Sequence, residues 1–224
     1  MDTFPELKRY ADQLAEIARW AYRNGWAPGT STNYSMRLPV EAAPALCAIT
    51  SSGVDKDTID CDHILAVDRH GRPVGGKSLT PSAETALHLM LYRATEAGAV
   101  LHTHSLAAAL LSQAARDEGQ LSISGWELLK GLEGVTSHQS EVTLPVFPNS
   151  QDMLSLAALI EPHVVATPGC YGFLLAGHGL YVWGKDIGAA RRHLEVFEFL
   201  LQCEREVRSY GNPTSPRQAH LPHE

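Results

Sequence analysis

An α/β layered domain is the fold class that the sequence predicts, and three observations predict it. Short apolar runs bounded by turn residues alternate along the chain with segments whose apolar residues recur every three or four positions. These two patterns are typical of strands and helices respectively. The 224 residues suit one compact domain without internal repeats, and the composition, 44% hydrophobic and 19% charged, is that of an ordinary globular chain.

The first hundred residues predict two helices separated by three strands. Apolar residues at helical spacing from Leu7 predict the first helix, which "NG" at 24–25 ends. A loop rich in Gly, Thr, Ser and Asn runs into a strand, and "ALCAIT" and "HILAVD" predict two more, followed by a turn at "HGRPVGG". For the second helix we expect Thr80 as N-cap and Pro81 at the first position. Its apolar stripe is Leu87, Met90, Leu91 and Ala94.

The remaining residues continue the alternation. The segment "AVLHTH" predicts a strand, "SLAAALLSQAAR" a helix, "SGWELLKGL" a short helix and "EVTLPVFP" a strand. "SQDMLSLAALI" predicts a helix capped by Ser150, and "YGFLLAGHGLYVWG" predicts two strands broken at 177–179. A long helix follows from Asp186. Residues 211–224 are polar and rich in proline, so we expect a single domain over 1–210 and a flexible C-terminal tail.

Charge and cysteine usage exclude several classes of protein. The net charge of −7 comes without a basic stretch, which argues against nucleic acid as a partner, although a cationic pocket for one phosphate stays open. The four cysteines are scattered and form no CxxC pair. There is no apolar core of a signal peptide and no run of ~18 apolar residues. We therefore expect a reduced, cytoplasmic, soluble protein with no membrane partner.

Two histidines at the end of a predicted strand are the strongest chemical signal. His102 and His104 are two positions apart and so face the same side of the strand, within reach of one ion. His178, between two glycines at another strand end, is the third candidate, and three imidazoles leave an open position on zinc. Hydrogen-bonded packing for the pair, and an ordinary turn for His178, are the alternatives. The other histidines show no ligand spacing, and surface or capping roles are predicted for nearly all of them: His63, His70, His88, His138, His163, His193, His220 and His223.

Two glutamates compete for the proton-transfer role. Glu84 lies at the predicted start of the second helix, where an acid also simply favours the helix dipole. Glu127 lies beside Trp126, Leu128 and Leu129, and such apolar company can raise the pKa of a carboxyl group. Glu127 could equally be an exposed helix residue. The residues alone do not decide between the two.

Two loops could bind an anion through main-chain and hydroxyl donors. These are "GTSTNYS" at 29–35 and "TSSGVDK" at 50–56, and Lys56 could add a positive charge. Loops of this composition are also common as plain turns.

Five stretches, in this order, resemble the class II aldolase/adducin-like family of zinc-dependent sugar-phosphate enzymes: "GTSTNYSMR", "TSSGVDK", "TPSAET", "AVLHTHS" and "AGHGLYVWG". They span roughly residues 7 to 208. The resemblance implies a three-layer α/β/α domain with a central, mainly antiparallel sheet. It also implies a homotetramer with each site near a subunit boundary, and one Zn²⁺ per subunit on His102, His104 and His178. The expected phosphate contacts are Asn33, Ser52, Gly53, Ser82 and Lys56.

Within the family, "SGWELLKGL" and "HGLYVWG" resemble a branch of dehydratases in methionine salvage. That likeness implies dehydration of 5-methylthioribulose 1-phosphate to 2,3-diketo-5-methylthiopentyl 1-phosphate through a zinc-stabilised enediolate, with Glu127 as acid/base. Glu84 corresponds instead to the glutamate of fuculose-phosphate-type aldolases. Two departures are Thr32, where a glycine is usual, and Leu79, where some dehydratases have a cysteine. An aldolase or epimerase on another ketose phosphate, or a non-catalytic aldolase-like binding module, remain the alternatives.

Overall fold

A nine-stranded sheet forms the centre of the computed structural model, which describes residues 6–76, 78–167 and 169–210. The strand order is β4-β3-β2-β1-β5-β9-β8-β7-β6, and every neighbouring pair is antiparallel except β7 with β8. The strands are β1 Asn33–Arg37, β2 Ala45–Thr50, β3 Ile64–Asp68, β4 Pro73–Val74, β5 Ala99–Thr103, β6 Gln120–Ile123, β7 Val142–Phe147, β8 Gly172–Leu175 and β9 Gly179–Gly184.

Five α-helices and three short 3₁₀ helices accompany the sheet in the part of the chain described. The α-helices are α1 Leu7–Arg23, α2 Thr85–Ala94, α3 Leu106–Ala114, α4 Met153–Ala166 and α5 Ile187–Ser209. The 3₁₀ helices are Val40–Ala42, Cys61–His63 and Glu127–Gly131.

Two separate apolar cores cover the two faces of the sheet. The larger core contains buried residues of α1, α3 and α5, and the smaller contains those of α2 and α4. Side chains alternate across a strand, and so within β5 Val100 belongs to the smaller core and Leu101 to the larger. The prediction of a three-layer α/β/α fold with a mainly antiparallel sheet is confirmed.

Most elements predicted from periodicity are confirmed, including the first helix, the strand "AVLHTH" and the strand pair around residues 177–179. Two predicted caps are wrong. The second helix begins at Thr85 rather than near Thr80, because the backbone of Pro81 instead forms a β-bridge with Ser51. Asp152, not Ser150, caps the fourth helix.

The strand β6 was not predicted from the sequence. Its four residues are alternately exposed and buried, and it lies at the edge of the sheet, where it pairs with β7. A strand this short carries little periodic signal.

Two further expectations concern the chain as a whole. None of the four cysteines, all of which lie in the described part, forms a disulfide. Within that part, no helix combines the length and the apolar character needed to cross a bilayer. The predicted tail, 211–224, lies outside the described residues, and the single-domain boundary at 210 stays a prediction.

Candidate metal centre

Three neighbouring strands bring the predicted site together. In the mainly antiparallel sheet β5 lies between β1 and β9, with His102 opposite Asn33 on one side and opposite Tyr181 on the other. The end of β5 therefore meets the start of β9, and His178 lies in the turn that leads into β9. Residues far apart in sequence thus come together through strand pairing.

The glycines around His178 are required by geometry. Gly177 has a φ of +64°, a conformation that side chains other than glycine rarely adopt. A Cβ atom on Gly179 would lie 2.0 Å from the carbonyl oxygen of Thr103. Only glycine at this second position lets β9 approach β5 closely enough to bring His178 beside the histidine pair.

His102, His104, His178 and Glu84 form one cluster whose potential ligand atoms all lie within 4.8 Å of one another. The Nε2 atom of His102 is 2.7 Å from Nε2 of His104 and 3.3 Å from Nε2 of His178. The Glu84 carboxylate lies 3.3 Å from His102 and 3.2 Å from His178. We call these four residues the histidine cluster.

The hydrogen-bond partners of the imidazole rings show that this donor set suits a cation. Nδ1 of His102 lies 3.0 Å from the carbonyl oxygen of Leu180 and must donate to it, so the neutral ring has a bare lone pair at Nε2. Nδ1 of His178 donates in the same way to Oδ1 of Asn149, at 3.1 Å. Two lone pairs and a carboxylate then face one another across about 3 Å. Such an arrangement is repulsive unless a positive charge lies among these atoms.

Burial keeps the two histidines of the pair neutral. It lowers the pKa of His104 to about 3 and that of His102 well below its usual range, and the neighbouring imidazoles act in the same direction. The ring of His102 is further packed against that of Tyr181, with 3.9 Å between centroids. Neutral imidazoles with fixed orientation are the form that binds a metal ion.

Glu84 is the only carboxylate among the described residues that belongs to the cluster. It occupies the N-cap position of α2, and its side chain is 12% exposed. Asn33 donates to its Oε2 atom at 2.6 Å. Glu84 has this N-cap position because α2 begins at Thr85, whereas the sequence pattern predicts a start near Thr80.

Glu127 lies elsewhere, outside the histidine cluster. Its side chain is 71% exposed and forms ion pairs with Lys130 and, at 3.8 Å, with His138. The hydrogen bond from Lys130 lowers the pKa of Glu127. Of the two alternatives left open for Glu127, the structure shows the exposed residue, because the carboxylate points into solvent and only Leu129 among its neighbours is buried.

The predicted phosphate contacts lie in three different environments. Ser52 and Gly53 are exposed, and Gly53 has a φ of +73°. Lys56 is buried, donates to the carbonyl oxygens of Val54 and Thr30, and has its pKa lowered by burial to about 8. The hydroxyl of Ser82 accepts from the backbone of Glu84, which places it at the edge of the cluster.

The amide of Asn33, the remaining phosphate candidate, is engaged on both sides. It donates to Glu84 and accepts from Nε2 of His88. His88 and His193 are both fully buried, so these two do not have the surface or capping role predicted for nearly all of the other histidines. The sequence did contain a signal for the location of His88. This histidine lies four residues after Glu84, and residues four positions apart in a helix are neighbours on its surface.

Residues 12–204 match the Class II Aldolase and Adducin N-terminal domain family, and the chain belongs to that family. Among similar proteins is a methylthioribulose-1-phosphate dehydratase of Sorangium cellulosum, 45% identical over 90% of this chain and 93% of the relative. Another of that name, from Xanthomonas campestris, is 47% identical over 94% of this chain and 98% of the relative.

Solved structures share the fold at low sequence identity. One is an L-fuculose 1-phosphate aldolase, with a TM-score of 0.74, 21% identity, and 92% of this chain and 89% of that chain covered. A second such aldolase, from Thermus thermophilus, has a TM-score of 0.69 and 22% identity, with 91% and 97% covered. These likenesses establish the architecture.

Proposed function

We propose that the protein is a metal-dependent hydro-lyase of methionine salvage. Its substrate is 5-methylthioribulose 1-phosphate, and its product is 2,3-diketo-5-methylthiopentyl 1-phosphate. The observation that carries the proposal is the histidine cluster, in a chain that shares 42 to 47% of its residues with dehydratases of that name. The proposed site of action is the cytoplasm.

One Zn²⁺ per subunit is the proposed cofactor, held by His102, His104 and His178. Three imidazole ligands carry no negative charge, so the charge of the ion would remain available to the substrate. When bound, the ion acts as a Lewis acid that draws electron density from the substrate's oxygen atoms.

Glu84 is the proposed proton carrier, since its carboxylate lies within 3.3 Å of two of the proposed ligands. It removes the proton from C3, which the C2 carbonyl acidifies, and the C–H electrons move toward the C2 oxygen. The C4–O bond then breaks, and the proton held by Glu84 passes to the departing hydroxide, which leaves as water. The resulting enol tautomerises to the 2,3-diketone. A positioned acid/base of this kind contributes about 10²–10⁴ in rate.

Glu127, which the family resemblance favours, has no step in this scheme, and it could reach a site only from a neighbouring subunit. Its exposed side chain lies outside the cluster of its own chain, whereas in the proposed homotetramer each site lies near a subunit boundary. Phosphate binding is proposed for Asn33, Ser52, Gly53, Ser82 and Lys56, of which Lys56 supplies the positive charge.

A product assay tests the proposal. Purified protein supplied with zinc and 5-methylthioribulose 1-phosphate should form the diketone, and a chelator should stop this reaction. Release of dihydroxyacetone phosphate and an aldehyde, with no diketone, would show an aldolase instead. Gently purified protein with no stoichiometric divalent metal and no turnover would favour a binding module.

Paired variants identify the proton carrier. If Glu84 alone carries the proton, Glu84→Gln should lower kcat at least about 100-fold. The Glu127→Gln variant should then have a kcat close to that of the wild type. Loss of turnover in Glu127→Gln with near-normal turnover in Glu84→Gln would reverse the assignment. If both variants lose turnover, tetramers can be assembled from a mixture of Glu84→Gln subunits and Glu127→Gln subunits. These mixed tetramers should regain activity only if Glu127 of one subunit acts at the site of its neighbour.

A further inference from the structure

A continuous chain of hydrogen bonds runs from the histidine cluster into the smaller core. The hydroxyls of Tyr92 and Ser35 are 2.7 Å apart, and Ser35 is 2.7 Å from Nδ1 of His88. Nε2 of His88 is 2.5 Å from Oδ1 of Asn33, whose Nδ2 atom is 2.6 Å from Glu84. Tyr92, Ser35, His88 and Asn33 are each no more than 4% exposed. We call these four residues the buried chain.

Chemistry permits one direction for these bonds when the Glu84 carboxylate is ionised. An ionised carboxylate only accepts, so the NH₂ group of Asn33 faces it and the amide oxygen faces His88. His88 must then donate from Nε2, which leaves a lone pair on Nδ1 if the ring is neutral. Ser35 therefore donates to His88 and accepts from Tyr92.

The neutral state of His88 follows from its environment. Burial lowers its pKa to about 4, although the nearby Glu84 charge opposes this shift. Burial also raises the pKa of Tyr92 well above its usual range, which keeps that hydroxyl protonated as a donor. Tyr92 thus begins the buried chain as a donor. Each of the other three members accepts one hydrogen bond from the residue before it in the buried chain and donates one to the next residue.

We infer that His88 is a positioning residue, which fixes the orientation of the Asn33 amide and so aims the Glu84 carboxylate at the histidine cluster. Without a donor at position 88 the amide oxygen of Asn33 loses its partner, and the amide is then held only by its bond to the carboxylate that it should position. Errors of about 1 Å in the placement of a reacting group can cost about 100-fold in rate. The inference rests on the proposed role of Glu84 in proton transfer.

Neutron diffraction from the metal-loaded protein tests the direction of the chain without any turnover. The inference requires deuterium on Nε2 of His88, a bare Nδ1, and the ND₂ group of Asn33 toward Glu84. Deuterium on Nδ1, or on both nitrogens, would overturn it.

Two substitutions separate positioning from simple packing. In glutamine the amide nitrogen and oxygen are spaced like the two ring nitrogens of histidine, so His88→Gln can donate to Asn33 and accept from Ser35. His88→Leu removes both bonds. We expect His88→Leu to lower kcat about 10-fold to 100-fold, with KM and zinc content nearly unchanged, and His88→Gln to restore kcat to within about threefold.

The matched control is His193, an equally buried histidine whose ring bonds to the carbonyl oxygen of Trp183. His193→Gln and His193→Leu should differ in thermal stability but not in kcat. Equal kcat in His88→Gln and His88→Leu, with Glu84→Gln inactive, would overturn the positioning role and leave the proposed function standing. An active Glu84→Gln would instead refute the proton carrier, whatever His88 does.

Discussion

A buried glutamate that the proposed chemistry does not use, Glu198, makes the stability of the protein depend on pH. Glu198 lies on α5 and is 3% exposed. Its Oε1 atom accepts from the hydroxyl of Thr103 at 2.6 Å, and Oε2 has no hydrogen-bond partner within the described residues. Burial raises the pKa of this carboxyl from 4.5 to about 7.

The sign and size of the effect follow from linkage. The folded protein holds the proton of the Glu198 carboxyl more tightly than the unfolded chain does. Proton binding to Glu198 therefore stabilises the folded state fully below pH 4.5, and this stabilisation is lost as the pH rises through 7. One pH unit of difference in pKa corresponds to about 1.4 kcal/mol, and the two pKa values therefore imply about 3 kcal/mol. Glu198→Gln keeps an acceptor for Thr103 and removes the titration.

Urea unfolding of metal-free protein, in excess chelator, measures this difference. Between pH 5 and pH 8.5 the wild type should lose most of the ~3 kcal/mol relative to Glu198→Gln. Glu195→Gln, an exposed glutamate on the same helix, is the control and should follow the wild type. If the wild type and Glu198→Gln keep a constant difference in unfolding free energy over this range, the argument from burial is refuted.

Three further predictions concern the cluster and the elements that position it. His104→Ala should bind less than one tenth of an equivalent of zinc in dialysis while the circular dichroism spectrum is unchanged, and one retained equivalent would contradict its role as a ligand. Gly179→Ala should lower the melting temperature and the zinc content together, because its Cβ would meet the Thr103 carbonyl at 2.0 Å, whereas Gly76→Ala, with open space around it, should do neither. Asp186→Ala should lower the free energy of unfolding by about 1 kcal/mol, measured by urea titration, because the Asp186 carboxylate caps α5 through the backbone of Ala189; an unchanged midpoint would show that this cap is dispensable.

The three histidines were predictable as candidate ligands because each is marked by residues close to it in the sequence. Two imidazoles two positions apart at the end of an apolar run must share one side of a strand, and His178 is marked by its flanking glycines. The structure brings all three together with Glu84.

The order of the strands was not predictable in the same way. The buried chain lies beside the histidine pair because β1 pairs with β5, which puts Asn33 opposite His102, and the residues of these two strands are more than sixty positions apart. No periodic pattern in either strand encodes that partner.

By itself, the sequence of this protein determined most of its helices and strands and which two histidines of the pair share a face, because those relations depend on the spacing of residues along the backbone. Only the tertiary structure showed where the two candidate glutamates lie. It placed Glu84 against the imidazoles and Glu127 in solvent, since α2 starts later than its composition suggests and the 3₁₀ segment carrying Glu127 buries Leu129 instead. Those outcomes depend on contacts among distant segments, and short-range spacing carries no information about such contacts.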